Sequence, residues 1–198
     1  MQRAVEQSSA LSAWLAAGAL AVIVTCQAAA GAEAFPIERL DEGGYVVMLR
    51  HATAPGVGDP ESFRLGDCAT QRNLSDQGRV QARRLGERLR AQGIAAAEVY
   101  SSQWCRCLET AELLDLGPVE QLPALNSFFS RPAERAANLA ALRRFLADLA
   151  EDGPPVILVT HQVTISAITG SGTVSGEAIV LAVDGTGQPP VVGTIAPQ

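Results

Sequence analysis

The sequence predicts an α/β protein, a three-layer sandwich around a mainly parallel central sheet, and three observations carry that prediction. Strand-length apolar runs alternate with helical stretches through most of the chain. Two of the runs, Tyr45–Leu49 and Val156–Val159, are continuous rather than alternating, as in strands buried on both faces. Each runs into a histidine, and the chain holds only two, His51 and His161. Parallel strands joined by crossovers bring their C-terminal ends to one rim, where open α/β sheets place their ligand sites.

Residues 1–34 stand apart. Arg3 precedes an apolar stretch from about Leu11 to Val24, and the small-residue run Ala28–Ala34 follows. A charged start, a short apolar centre and A-x-A sites at Ala30-Gly31-Ala32 and Ala32-Glu33-Ala34 make a secretory signal peptide. The run is short for a span of about 20 residues. Cleavage leaves residues 35–198 as one domain without stable membrane insertion, periplasmic or secreted.

The first strand ends in Arg50-His51, and the segment Ala52–Asn73, rich in Gly, Pro and Asp, reads as a long functional loop. Ser75 is an N-cap, and a helix runs to about Ala91 before Gly93. Its apolar line is Gly78, Ala82, Leu85 and Leu89, with a solvated arginine face opposite. Glu98–Ser101 reads as a second strand, followed by Ser102 and a helix through about Leu114. Val119–Leu122 reads as a third strand and 126–132 as a loop. A helix carrying Leu139, Leu142, Phe145, Leu146 and Leu149 inward is stopped by Gly153-Pro-Pro155. After Val156–Thr160, residues 162–169 form a short helix. Ala178–Val183 and Val191–Ile195 form an edge hairpin.

The formal charge of −6 excludes a nucleic-acid or anionic-membrane partner as the default reading. All fifteen basic residues are arginine, so an anion site must use Arg, His or backbone N–H groups. Beyond Cys26 there remain Cys68, Cys105 and Cys107. In an oxidising compartment Cys68 pairs with Cys105 or Cys107, leaving one thiol. A zinc site and three buried thiols are the competing readings.

On the shared rim fall Arg50-His51, Ser101-Ser102 leading to Arg106, and Thr160-His161. Guanidinium forks match phosphate oxygens, and imidazole serves as nucleophile, acid or oxyanion donor. Leu49-Arg-His-Ala52, Ser101-Ser-Gln-Trp-Cys-Arg106 with Thr110-Ala111, Val159-Thr-His161, and Asn73-Leu-Ser-Asp-Gln-Gly78 with Gln81-Ala82 resemble the histidine phosphatase superfamily. That superfamily is also called phosphoglycerate-mutase-like, and the likeness is to its branch 1, here as an exported member.

The resemblance implies a fold and a set of roles. His51 would take the phosphoryl group as a phosphohistidine. Arg50 and Arg106 would hold its oxygens and His161 would donate to it, with Thr53 and Arg72 as secondary contacts. Water would hydrolyse the intermediate, with no metal and no cofactor. The substrate would be a small phosphorylated compound or an envelope phosphate, an ester or a phosphoramidate. The sequence leaves the oligomeric state open. One departure matters: many members carry Glu after the third strand, where this chain has Asn126 and Ser127. Asp59, Glu61 and Asp67 are the substitutes available for that acid. The alternative is a catalytically weak or inactive phosphate-binding protein of the same fold.

Overall fold

The computed structural model describes residues 33–198. The leader segment predicted as a signal peptide lies outside the described residues, except for Glu33 and Ala34. A 3-10 turn at Ile37–Glu42 precedes the first strand. The strands are β1 (Tyr45–Arg50), β2 (Glu98–Ser101), β3 (Val119–Gln121), β4 (Val156–Thr160), β5 (Ala178–Ala182) and β6 (Val191–Ile195). The helices are α1 (Asp76–Ala91), α2 (Cys105–Leu114), α3 (Arg135–Ala147) and α4 (Gln162–Thr169).

The strands form one sheet in the order β3-β2-β4-β1-β5-β6. The four strands from β3 to β1 are parallel, and β5 and β6 add an antiparallel edge. β1 and β4 are the central pair, and their apolar runs are buried because helices cover both faces. Val47, Leu49, Ile157 and Val159 point to the side packed by Leu85 and Leu89 of α1 and Ala111 and Leu114 of α2. Val46, Met48, Val156 and Leu158 point the other way, against Leu139, Leu142 and Leu146 of α3 and Ile165 of α4. The alternation of one strand between two cores produces the continuous run in sequence.

Helix α1 starts where the sequence says, with the Ser75 hydroxyl accepting from the Gly78 N–H. Gly78 has a second reason to be glycine: a β-carbon there would collide with the Thr53 carbonyl oxygen. The helix start is therefore pressed against the backbone two residues past His51. Arg83, Arg84 and Arg88 are exposed, and Arg79 pairs with Glu109 at 2.6 Å. Several boundaries differ from the sequence expectation: β5 ends at Ala182 rather than Val183, and α3 ends at Ala147, short of Leu149. β3 ends at Gln121 rather than Leu122. Helix α2 begins at Cys105, three residues past Ser102, whose hydroxyl meets a histidine. Among the described residues no helix is long and apolar enough to cross a membrane.

Candidate active site

Strand register does the first part of the positioning. Arg50 lies opposite Thr160 in the parallel β1–β4 pair, and the His51 N–H donates to the Thr160 carbonyl at 3.0 Å. His51 and His161 therefore leave the sheet side by side, with ring centroids 5.5 Å apart. On the far side of β4, Ser101 lies opposite Val159, so Ser102 arrives beside His161. The first turn of α2 then supplies Arg106.

The His51 ring is 2% exposed and its Nδ1 lies 2.8 Å from the Ala52 carbonyl. A carbonyl only accepts, so Nδ1 carries the proton and Nε2 keeps a lone pair. Burial first, then the Arg106 charge, pushes the His51 pKa down to about 3. The imidazole is neutral at physiological pH.

His161 is neutral for related reasons, with burial foremost and then His51 and Arg106 holding its pKa well below the ordinary value. Its Nδ1 lies 3.4 Å from Nη2 of Arg106, an obligate donor, so Nδ1 accepts. Nε2–H then donates to the Ser102 hydroxyl at 2.9 Å, and that hydroxyl donates to Oδ1 of Asn126 at 3.3 Å. The Cys107 thiol is 3.5 Å from the same ring nitrogen. Burial pushes that thiol up to about 12, so it is no thiolate nucleophile.

Three guanidiniums surround the pair. Arg50 donates to the Thr173 carbonyl at 2.6 Å and to Gln162 at 3.2 Å. Arg72 holds the long loop, donating to the carbonyls of Gly58 and Ala54. Arg106 forks onto Asp59 at 2.7 and 3.2 Å. Burial and mutual repulsion lower the pKa of Arg50 and Arg72 alike, an electrostatic cost that a bound anion relieves. The Nε–H groups of Arg50 and Arg106 are buried with no acceptor among the described residues. Buried donors of this kind cost about 1–3 kcal/mol each when unsatisfied, which a phosphate oxygen offsets.

Of the residues expected from sequence, Arg50, His51, Arg72, Arg106 and His161 line one cavity of about 520 Å³. Thr53 does not line it: its N–H and hydroxyl both donate to Oε1 of Gln81 at 3.0 and 3.2 Å. Among the three candidate acids, Asp59 and Glu61 line the cavity. Asp67 instead caps the 3-10 turn at Cys68–Thr70. Ser127 reaches the cavity, whereas Asn126 is held by Ser102 and Gln103.

The loop is tied to α2 by a disulfide, Cys68–Cys105, and Cys107 is the free, buried thiol. Sequence reasoning missed the contacts of Ser102, Trp104 and Gln71. The Trp104 indole donates to Asp59 at 3.0 Å, and Gln71 accepts the Cys105 N–H at 3.0 Å. Their signal was position: Ser102 and Trp104 sit between a strand end and Arg106, where site contacts concentrate.

A neutral imidazole with a bare lone pair, faced by a second imidazole and ringed by arginines, is an arrangement able to hold an anion and to attack it. The family model described as histidine phosphatase superfamily (branch 1) matches residues 46–134. The solved protein histidine phosphatase SixA, complexed with tungstate, is 17% identical with TM-score 0.52, covering 77% of this chain and 96% of that one. A phosphoglycerate mutase from Thermus thermophilus is 18% identical with TM-score 0.53, covering 77% and 98%. At such identities these two likenesses concern the fold. The mitochondrial serine/threonine-protein phosphatase Pgam5 of Drosophila virilis is 33% identical over 70 residues, 35% of this chain. The match spans 22% of that relative's length. Residues 46–134 thus match the histidine phosphatase superfamily, branch 1, and the chain has the phosphoglycerate-mutase-like fold.

Proposed function

We propose that this chain is a phosphatase that hydrolyses phosphate esters or phosphoramidates through a phosphohistidine on His51. The observation that carries the reading is the His51 tautomer: its proton is committed to the Ala52 carbonyl, so Nε2 is a ready nucleophile without prior deprotonation. Nε2 attacks phosphorus, and the bond to the leaving atom breaks with its electron pair going to the leaving group. Arg50 and Arg106 bear the negative charge on the phosphoryl oxygens. As that charge arrives, the Arg106 Nη2–H turns from Nδ1 of His161 to a phosphoryl oxygen, and Nδ1 takes a proton from solvent and donates to the same group, because a nearby anion raises an imidazole pKa. Water then attacks phosphorus, the N–P bond electrons return to Nε2, and the water proton leaves with solvent. A poised nucleophile favours turnover over passive phosphate binding.

The cavity is much larger than a phosphate, and beyond Arg106 its wall is built by Phe63, Trp104, Phe129 and Arg131. Phe63 stacks on Trp104 at 4.9 Å and the Arg131 guanidinium sits 5.1 Å over the Phe63 ring. That wall supports a ring-bearing leaving group on a small phosphorylated compound or an envelope phosphate. The disulfide supports an oxidising compartment, and with the leader it supports export to the periplasm or beyond. No step uses a metal, so hydrolysis should survive exhaustive chelation. Asp59 is ion-paired, which removes it as a ready proton donor and leaves Glu61 as the other carboxyl on the cavity wall, so activity should depend steeply on leaving-group pKa, and the slope flattens only where Glu61 serves as the acid. Hydrolysis of a series of aryl and alkyl phosphates tests the reading. A wild-type protein that hydrolyses none of them, aryl phosphates included, is not a phosphatase.

A further inference from the structure

Arg106 is almost fully committed before any substrate is considered. Its guanidinium has five N–H donors in a planar fork. Nη1 donates to Oδ1 of Asp59 at 2.7 Å and to the Arg72 carbonyl at 3.3 Å. Nη2 donates to Oδ2 of Asp59 at 3.2 Å and to Nδ1 of His161 at 3.4 Å. Only Nε–H is without a partner, and it is buried. The end-on edge is therefore spent on Asp59. The side-on edge, Nε–H with the Nη2–H beside His161, is the one left to meet an anion.

Asp59 is as fully used as its partner. Besides the Arg106 fork, it accepts the Arg72 N–H at 3.1 Å and the Trp104 indole N–H at 3.0 Å. Arg106 is buried and Asp59 half-buried, with side-chain exposures of 4% and 15%. Burial pushes the Asp59 carboxyl up, but the Arg106 charge and fork, with the Arg72 and Trp104 donors, outweigh it and hold it below the usual range. A carboxylate with four donors is neither a poised acid nor a plug that leaves cheaply.

The geometry points to Asp59 as a positioning residue: it grips Arg106 end-on so that the side-on edge of Arg106 and the ring of His161 face the phosphoryl group together. The inference rests on the phosphoryl-transfer reading for its ligand. It explains why an acidic residue stands in a pocket that binds an anion. It also gives the long loop a role, since Asp59–Arg106, Cys68–Cys105 and Gln71–Cys105 all fasten that loop to the first turn of α2.

The test uses Asp59→Asn, which keeps the shape and removes the charge, and Trp104→Phe, which removes one donor to Asp59 without touching Arg106. Affinity for orthovanadate, kcat and KM across an aryl phosphate series, and the thermal midpoint are measured for each. Asp59→Asn should weaken vanadate binding and lower kcat/KM by about 10–100-fold, as loss of an orienting partner does. The loss should be equal for good and poor leaving groups. Trp104→Phe should move both quantities severalfold in the same direction. A dependence on leaving-group pKa that steepens in Asp59→Asn would make Asp59 the acid and overturn the proposal. Tighter vanadate binding would make it a plug, and a midpoint shift alone would make it merely structural. Either result also overturns it. A wild type that binds vanadate but hydrolyses nothing refutes the phosphatase reading, while the vanadate series still decides on Asp59. A wild type that binds no vanadate refutes the positioning role.

Discussion

The two histidines arrive by the same route and end in different states. Each follows an apolar parallel strand, each is buried, and each is held neutral chiefly by burial. His51 has one ring nitrogen engaged by its own backbone, and its Nε2 has no partner among the described residues. His161 has both nitrogens in side-chain contacts, to Ser102 and Cys107 on one side and Arg106 on the other. A lone pair held ready suits attack. A ring wired into a network suits a group that answers charge by taking a proton. The sheet places the rings together, and their hydrogen-bond partners divide the labour.

Replacement of each histidine tests that division most severely. His51→Ala should lower kcat/KM by about 10⁴-fold or more and abolish any covalent intermediate, since the nucleophile itself is gone. His161→Ala should cost about 10²–10³-fold, the usual cost of one oxyanion donor. It should still form the intermediate. Equal losses at both positions, with neither variant forming it, would remove the asymmetry.

The disulfide bears on the Arg106 side alone. Its loop spans 37 residues in sequence, and on the chain-entropy model Cys68→Ala should lower stability by about 4 kcal/mol. Chemical denaturation with and without reductant reads this out. Vanadate affinity should fall with it, because the same helix turn carries Arg106. A Cys68→Ala protein of unchanged stability and affinity would separate the loop from the site.

Both imidazoles also predict how stability depends on pH. Unfolded histidine titrates near 6.5, whereas folded His51 titrates near 3 and folded His161 well below 6.5. Above about pH 6.5 both states are neutral and the contribution is complete. As pH falls from there toward 3, the unfolded chain takes protons that the folded one refuses, so stability drops. Bound phosphate, which stabilises an imidazolium, should reduce that drop. Urea unfolding between pH 4 and 8 with the wild type and His51→Asn checks the sign; the variant should show the shallower acid limb.

The smallest effect expected is at Ser102. Ser102→Ala leaves the buried Nε2–H of His161 without its acceptor, a penalty of about 1–3 kcal/mol. It should slow turnover up to about tenfold while leaving formation of the intermediate on His51 intact. Single-turnover kinetics distinguish this from a loss at the nucleophile.

The sequence made the scaffold legible because burial leaves a periodic trace. β1, β4, α1 and the edge hairpin follow from apolar runs, a serine cap and turn residues, and the strand-end histidines mark the site. The wall of the site left no such trace. Asp59 in a Gly/Pro segment has no periodicity, and nothing local says that it will meet Arg106 across 47 positions. The choice between Cys105 and Cys107 needed the helix itself: two positions apart turns a side chain by about 200°. Cys105 therefore faces the loop while Cys107 points into the core. Helix α2 begins three residues past Ser102, whose hydroxyl serves a tertiary partner, His161. Thr53 was read through family likeness, yet its hydroxyl anchors Gln81 rather than the cavity.

On the proposed mechanism His51 becomes the covalent intermediate through Nε2. Rapid acid-free quenching of wild-type protein with a labelled aryl phosphate, followed by peptide mapping and ³¹P–¹⁵N correlation, reads the linkage directly. The expected result is an acid-labile phosphoryl group on the peptide containing His51, attached at Nε2. A label on His161, on Ser102, or at Nδ1 of His51 would contradict it.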